Sequence, residues 1–105
     1  MTQDGTDKPG TPGEEKKPLV EYPSVYEYKV MGKATVEETP GFEEHVRSLF
    51  RRKMGMEVSP DSIHVQHSRK GKFVSLSVSV LLLSEEQRRG IYEALHQDPR
   101  VVYYL

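Results

Sequence analysis

Residues 73–83 read FVSLSVSVLLL and alternate almost without fault. Val74, Leu76, Val78, Val80 and Leu82 fall on one side of an extended chain; Phe73, Ser75, Ser77, Ser79 and Leu81 fall on the other. Successive side chains of a strand point to opposite faces, so a sheet built on this run has one apolar face and one lined with small hydroxyls. Such a sheet is covered on one side and bare on the other. The run belongs in the middle of the sheet, because at an edge it would invite pairing with other chains.

The elements around it follow from local signals. Residues 25–31, VYEYKVM, form a β-branched and aromatic strand with Tyr26, Tyr28 and Val30 turned to the core. Thr39 is expected to cap a helix with Pro40 at its first position, where a missing N–H costs nothing. Phe42, Val46, Leu49, Phe50 and Met54 recur at helical spacing, and Gly55 is a natural stop. Residues 61–68, DSIHVQHS, predict a half-buried edge strand, followed by a hairpin turn in which Gly71 supplies positive φ. Ser84 with Gln87 three residues later is a capping box for a second helix, which buries Ile91, Ala94 and Leu95 and stops at Asp98-Pro99. Residues 100–105, RVVYYL, are expected to form a last strand with Val101, Tyr103 and Leu105 on one face.

The order is βαββαβ. It predicts an α+β, ferredoxin-like fold: a four-stranded antiparallel sheet with two helices on one face. Right-handed crossovers place the first and third strands centrally. The 105 residues suffice for one small domain. Residues 1–18 hold three Gly, three Pro and no aromatic. A stretch of that composition cannot offset its ordering entropy by burial, so a disordered tail is expected before a single domain over residues 19–105. The tail shows no apolar core of a secretory signal, and no stretch approaches a membrane span of about 20 apolar residues, so a cytoplasmic protein without membrane contact is expected.

Composition also narrows the chemistry. There is no cysteine, which excludes disulfides and thiolate chemistry. Fifteen basic residues against sixteen acidic ones argue against a chain held mainly by phosphate charge. His64 and His67, three apart in a strand, point to opposite faces and cannot share a metal ion. No phosphate loop, dinucleotide fingerprint or nucleophile turn is present, so no catalytic residue, cofactor or metal is expected. RNA-recognition modules share this element order and stack bases on aromatics of the open face. Here that face reads Phe73, Ser75, Ser77, so the second aromatic is missing and nucleic acid is disfavoured. Two places remain for binding. One is the turn after the first strand, where Met31, Gly32, Lys33, Thr39 and Gly41 could offer N–H groups and a cation to a small-molecule effector. The other is the open face itself, with Phe73, Ser75, Ser77, Ser79 and Tyr104, suited to a partner protein or to a second copy in a homodimer.

Tyr22-Pro23, then residues 28–32 (YKVMG), 70–78 (KGKFVSLSV), Glu86-Gln87, 91–95 (IYEAL) and Val101 form an ordered series of blocks. In these the chain resembles the YbeD-like family of small bacterial proteins of unknown function. The resemblance implies a ferredoxin-like fold akin to ACT-type regulatory domains, which bind small effectors such as amino acids and often pair through their sheets. In some members it also implies gene neighbours concerned with lipoate attachment. The family pattern falls on Tyr28, Lys29, Val30, Gly32, Ser68, Gly71, Ser75, Gln87 and Tyr92, none with an established role. The resulting expectation is a non-enzymatic regulatory or small-ligand-binding domain, with a protein-interaction domain that uses the open sheet face or an edge strand as the alternative.

Overall fold

A computed structural model describes residues 21–34 and 40–105. The elements are β1 (Ser24–Lys33), α1 (Phe42–Met54), a 3₁₀ turn (Pro60–Ser62), β2 (Ile63–His67), β3 (Phe73–Leu82), α2 (Glu85–Gln97) and β4 (Val101–Tyr104). The sheet order is β2-β3-β1-β4, with every pair antiparallel. Two helices and a four-stranded antiparallel sheet make the ferredoxin-like α+β fold, with β1 and β3 central. The expected tail over residues 1–18 and the expected cap Thr39 lie outside the described residues.

The core is the apolar side of the two central strands. Tyr28, Val30, Leu76, Val78 and Leu82 are buried against Val46, Leu49 and Phe50 of α1 and Ile91 and Leu95 of α2. Full burial of such a side chain is worth about 1.5–3 kcal/mol before entropy is charged. Tyr28 stands among Tyr26, Phe50 and Tyr92 at centroid distances of 5.0, 5.3 and 4.8 Å, tilted or edge-on as ring quadrupoles favour.

The two helix starts differ. α2 begins as its sequence predicts: Ser84 Oγ accepts from the Gln87 N–H at 3.1 Å. The reciprocal bond of the box is displaced by one residue, because Gln87 Oε1 accepts from the Leu83 N–H. α1 begins two residues later than expected, at Phe42, with Gly41 in the cap position and no side-chain cap. Tertiary contacts hold this start instead. Arg100 Nη1 donates to the Pro40 carbonyl at 2.8 Å. His45 Nε2 lies 2.6 Å from Asp98 Oδ2, and the Asp98 side chain is nearly buried. Gly55 ends α1 at φ 75°, its N–H donating to the Arg51 carbonyl at 2.8 Å. A left-handed residue there satisfies an orphan carbonyl at no steric cost.

Two strand expectations need correction. β2 is less buried than its alternation suggests. Only Ile63 is buried, and Val65 is 42% exposed. β4 does not keep one face through Val101, Tyr103 and Leu105. Val30 pairs with Tyr104 and Met31 with Tyr103, but Gly32 pairs with Val101, so the register shifts between Met31 and Gly32. A bulge inserts one residue and turns every later side chain over. Val101 packs on the core, and so does Tyr104.

Candidate functional site

The open face is a grid set by register. Gln66, Ser75, Met31 and Tyr103 form one row across the four strands. His64, Ser77 and Lys29 form the next, and Lys29 exchanges two backbone hydrogen bonds with Leu105 at 3.0 and 2.8 Å. The serines of β3 are shorter than their neighbours on both sides. A trough therefore runs along β3, with Lys29 and Met31 on one bank and His64 and Gln66 on the other. Within it lies a cleft of about 200 Å³ lined by Lys29, Met31, Gln66, Ser75, Ser77 and Tyr103. Lys29 Nζ donates to Ser77 Oγ at 3.3 Å. The cleft offers one ammonium group, three hydroxyls (Ser75, Ser77 and Tyr103) and a side-chain amide above a floor of sheet backbone.

Four of the five residues expected on this face are there: Phe73, Ser75, Ser77 and Ser79 all point away from the buried set of β3. Tyr104 is not. The β4 bulge turns it to the helix side, where its hydroxyl is 3.1 Å from His96 Nδ1 and its ring is 5.9 Å from Tyr92. Tyr103 takes its place on the open side. Lys29, Gln66 and Tyr103 were not among the expected face residues. Gln66 could have been found by counting back from the hairpin turn, since the Ser68–Phe73 closure fixes Gln66 opposite Ser75.

The expected loop site does not come together among the described residues. Met31 and Lys33 pair with Ser75 and Phe73 on the open face, whereas α1 starts on the other side of the sheet. Gly32 is buried between them. A Cβ there would stand 2.2 Å from Phe42 Cε1, so the Phe42 ring occupies the space and explains the glycine by packing. Gly41 is exposed, and its carbonyl accepts from the His45 N–H at 2.9 Å. Thr39 lies outside the described residues.

The covered face carries a polar rim of its own between β1 and α2. Tyr22 donates to Glu85 Oε1 at 2.6 Å, and Arg88 grips the same carboxylate through Nε at 3.0 Å and Nη2 at 2.6 Å. The Tyr28 hydroxyl donates to the Arg88 carbonyl at 3.1 Å, and the Tyr26 and Tyr92 hydroxyls lie 2.9 Å apart. The Arg88 guanidinium sits 5.7 and 5.6 Å from the Tyr26 and Tyr92 ring centroids, within cation–π range. The Arg88 hydrogen bonds, then that from Tyr22, hold the Glu85 carboxyl down to about 2 from an ordinary 4.5. Burial raises the Tyr28 and Tyr92 hydroxyls well above their ordinary value, so both stay protonated. This arrangement fastens α2 to β1. Among the described residues no group of three or more His, Asp or Glu is placed to hold a metal ion, and no helix is long and apolar enough to cross a membrane. His64 and His67 pair with Ser77 and Val74 and so lie on opposite faces of β2.

Comparison with known proteins assigns the family. A model described as "Protein of unknown function (DUF493)" matches residues 17–105. A UPF0250 protein of Nitrosomonas europaea is 31% identical over 87 residues, covering 83% of this chain and 94% of that protein. A UPF0250 protein of Ralstonia nicotianae is 34% identical over 98 residues, covering 93% and 94%. Among solved structures, the solution structure of protein HP0495 from H. pylori superposes with a TM-score of 0.64 at 23% identity, covering 93% of this chain and 98% of that one. At that identity the likeness concerns the fold. These matches correct the expected YbeD-like assignment: the family model and the related proteins carry the designations DUF493 and UPF0250. The chain, similar to uncharacterised bacterial proteins along most of its length, belongs to the DUF493 family of proteins of unknown function.

Proposed function

We propose that this protein is a non-enzymatic regulatory domain that binds a small polar effector on the open face of its sheet. The observation that carries the proposal is the cleft of about 200 Å³ over Ser75 and Ser77, with Lys29 at its bank. Pockets for drug-sized ligands run from about 300 Å³ upward, so this one suits a smaller, metabolite-sized molecule. A carboxylate is the matching group. It would take over the Lys29 ammonium from Ser77 as a charge-assisted hydrogen bond, and the freed hydroxyls and the Gln66 amide would meet the remaining polar atoms. The backbone beneath is rigid, because Lys29 and Ser77 sit on the two central strands and are paired on both sides.

The test is an amide-resolved NMR titration of the full chain with amino acids, short carboxylic acids and nucleotides. Shifts are expected at Lys29, Gln66, Ser75, Ser77 and Tyr103 with a carboxylate ligand, and Lys29→Gln should weaken binding at least tenfold. Shifts confined to the β1–α1 connection, or none at millimolar ligand, would overturn the assignment of the effector to this face.

A further inference from the structure

The sheet does not keep four strands along its length. β2 pairs only with Val74–Val78 of β3, and upstream of Ile63 the chain leaves through the 3₁₀ turn. Among the described residues, Ser79–Leu82 of β3 therefore have β1 on one side and no strand on the other. Phe73 bonds Ser68 on the β2 side, and Lys72 bonds Ala34 on the β1 side. By alternation, Leu81 turns its N–H and C=O toward the bare edge. Beside that edge lies a groove of about 290 Å³ whose apolar wall is Met54, Met56, Val58, Val80, Leu81 and Leu83, with Glu57, three serines and Gln87 at its polar margin. Met56, Leu81 and Leu83 are 63%, 53% and 65% exposed, and Val25, the β1 partner of Leu81, is 70% exposed. The apolar surface is thus continuous from the groove to the end of the open face.

An exposed apolar edge is a hazard that folds usually cover, charge or shorten. Here no strand among the described residues covers it, and three observations define its occupant. The free backbone groups ask for an extended strand, which supplies main-chain hydrogen bonds while its alternate side chains enter pockets. The groove is apolar, and its one carboxylate, Glu57, is already bonded by Arg51 Nη1 at 3.1 Å, so the occupant's side chains are uncharged. The free stretch is four residues, Ser79–Leu82, or about 14 Å of strand. A partner strand can pair with only these four residues of β3, so a short extended segment matches the site in length.

We infer that the bare edge of β3 at Ser79–Leu82, with the Met54–Met56–Leu83 groove beside it, docks a short extended peptide segment of a partner protein that carries apolar side chains at alternate positions. This site shares no lining residue with the cleft over Ser75 and Ser77 and stands or falls independently of it.

The probe is the peptide acetyl-Lys-Leu-Thr-Val-Thr-Leu-Lys-amide, titrated into the full isotope-labelled chain. Shifts are expected to cluster at residues 54–59 and 79–83. Two further peptides, N-methylated at the central Val or at the Thr after it, block one N–H on each side of the strand. At least one of them should bind tenfold or more weakly. Met56→Lys and Leu81→Lys change exposed side chains and leave the fold intact, as their spectra would verify; each should weaken the peptide at least fivefold. No shifts at millimolar peptide, binding of both methylated peptides as tight as that of the parent peptide, or shifts centred on Lys29 and Ser77 would overturn the proposal. So would sedimentation showing a dimer that Met56→Lys dissolves, because a second copy would then be the occupant.

Discussion

The two faces of the central strands are built from alternate residues of the same stretches, yet they obey different constraints. On the covered face, Tyr28, Val30, Leu76 and Val78 are at most 1% exposed, and even Gly32 has its missing side chain replaced by a neighbouring ring. On the open face, the serines of β3 leave volume unused, and Lys29 reaches across to one of them. Close packing makes the first face intolerant of one added methyl group. The second has slack in it, and slack over a rigid floor is what a binding face needs. The contrast teaches that even-numbered positions of β3 specify the fold, while odd-numbered ones are free to specify what the fold meets.

The largest expected effect comes from the smallest addition on the covered face. Gly32→Ala places a carbon 2.2–2.7 Å from three atoms of the Phe42 ring, so the ring must move. Overpacking of this kind costs about 1–3 kcal/mol. At about 4–8 °C per kcal/mol for a domain of this size, thermal unfolding should shift down by at least 4 °C or so. Adding Phe42→Leu should restore part of the loss, because a smaller side chain leaves room for the methyl. A Gly32→Ala melt indistinguishable from the parent would show that the β1–α1 junction is loosely packed and would erase the contrast between the faces.

Gly32 also marks where sequence is legible and where it is not. The alternation of residues 73–82, the Ser84 cap and the Gly55 stop are local signals, and each was readable because the physics that sets it acts within a few residues. The start of α1 is set from outside, by Phe42 over Gly32, by the Arg100–Pro40 bond and by His45 against Asp98. Thr-Pro was the better local signal, and tertiary contact overrode it. Tyr104 was misplaced for a similar reason: a single bulge opposite Met31 and Gly32 reverses the parity of β4, and parity is all that a four-residue strand reveals. Val65 looked half-buried because alternation reports which face a residue is on, not how far the helices extend over it. The Tyr22–Glu85–Arg88 rim spans more than sixty residues of sequence and leaves no short-range trace.

That rim gives the next test, smaller and dependent on pH. Glu85 has its carboxyl lowered to about 2, by the Arg88 hydrogen bonds first and Tyr22 second, against about 4.5 when unconstrained. A carboxyl whose folded value is depressed adds stability above its unfolded value and loses that contribution as pH falls through the folded one. The contribution is therefore complete above about 4.5 and fades toward about 2. The side chain is 40% exposed, so solvent screens the pair and the effect is modest. Glu85→Gln should melt below the parent near neutral pH, with the gap closing as pH falls across that window. A gap of constant size would mean that the carboxylate's charge contributes nothing beyond its shape.

The smallest effect on stability should come from Ser77→Val, on the open face directly beside Leu76. The substitution adds apolar bulk where the covered face could not take it. It also exchanges a weak strand former for a β-branched one. Surface substitutions away from special features stay within about 0.5 kcal/mol, and the strand preference offsets the lost bond from Lys29. Thermal unfolding should therefore move by about 4 °C or less in either direction. The same change fills the floor of the cleft and frees the Lys29 ammonium from its partner. A carboxylate ligand detected by NMR should then lose affinity although the fold is untouched. A large fall in melting temperature would instead show that the serine side is packed in its own right, and the division of labour between the two faces would have to be redrawn.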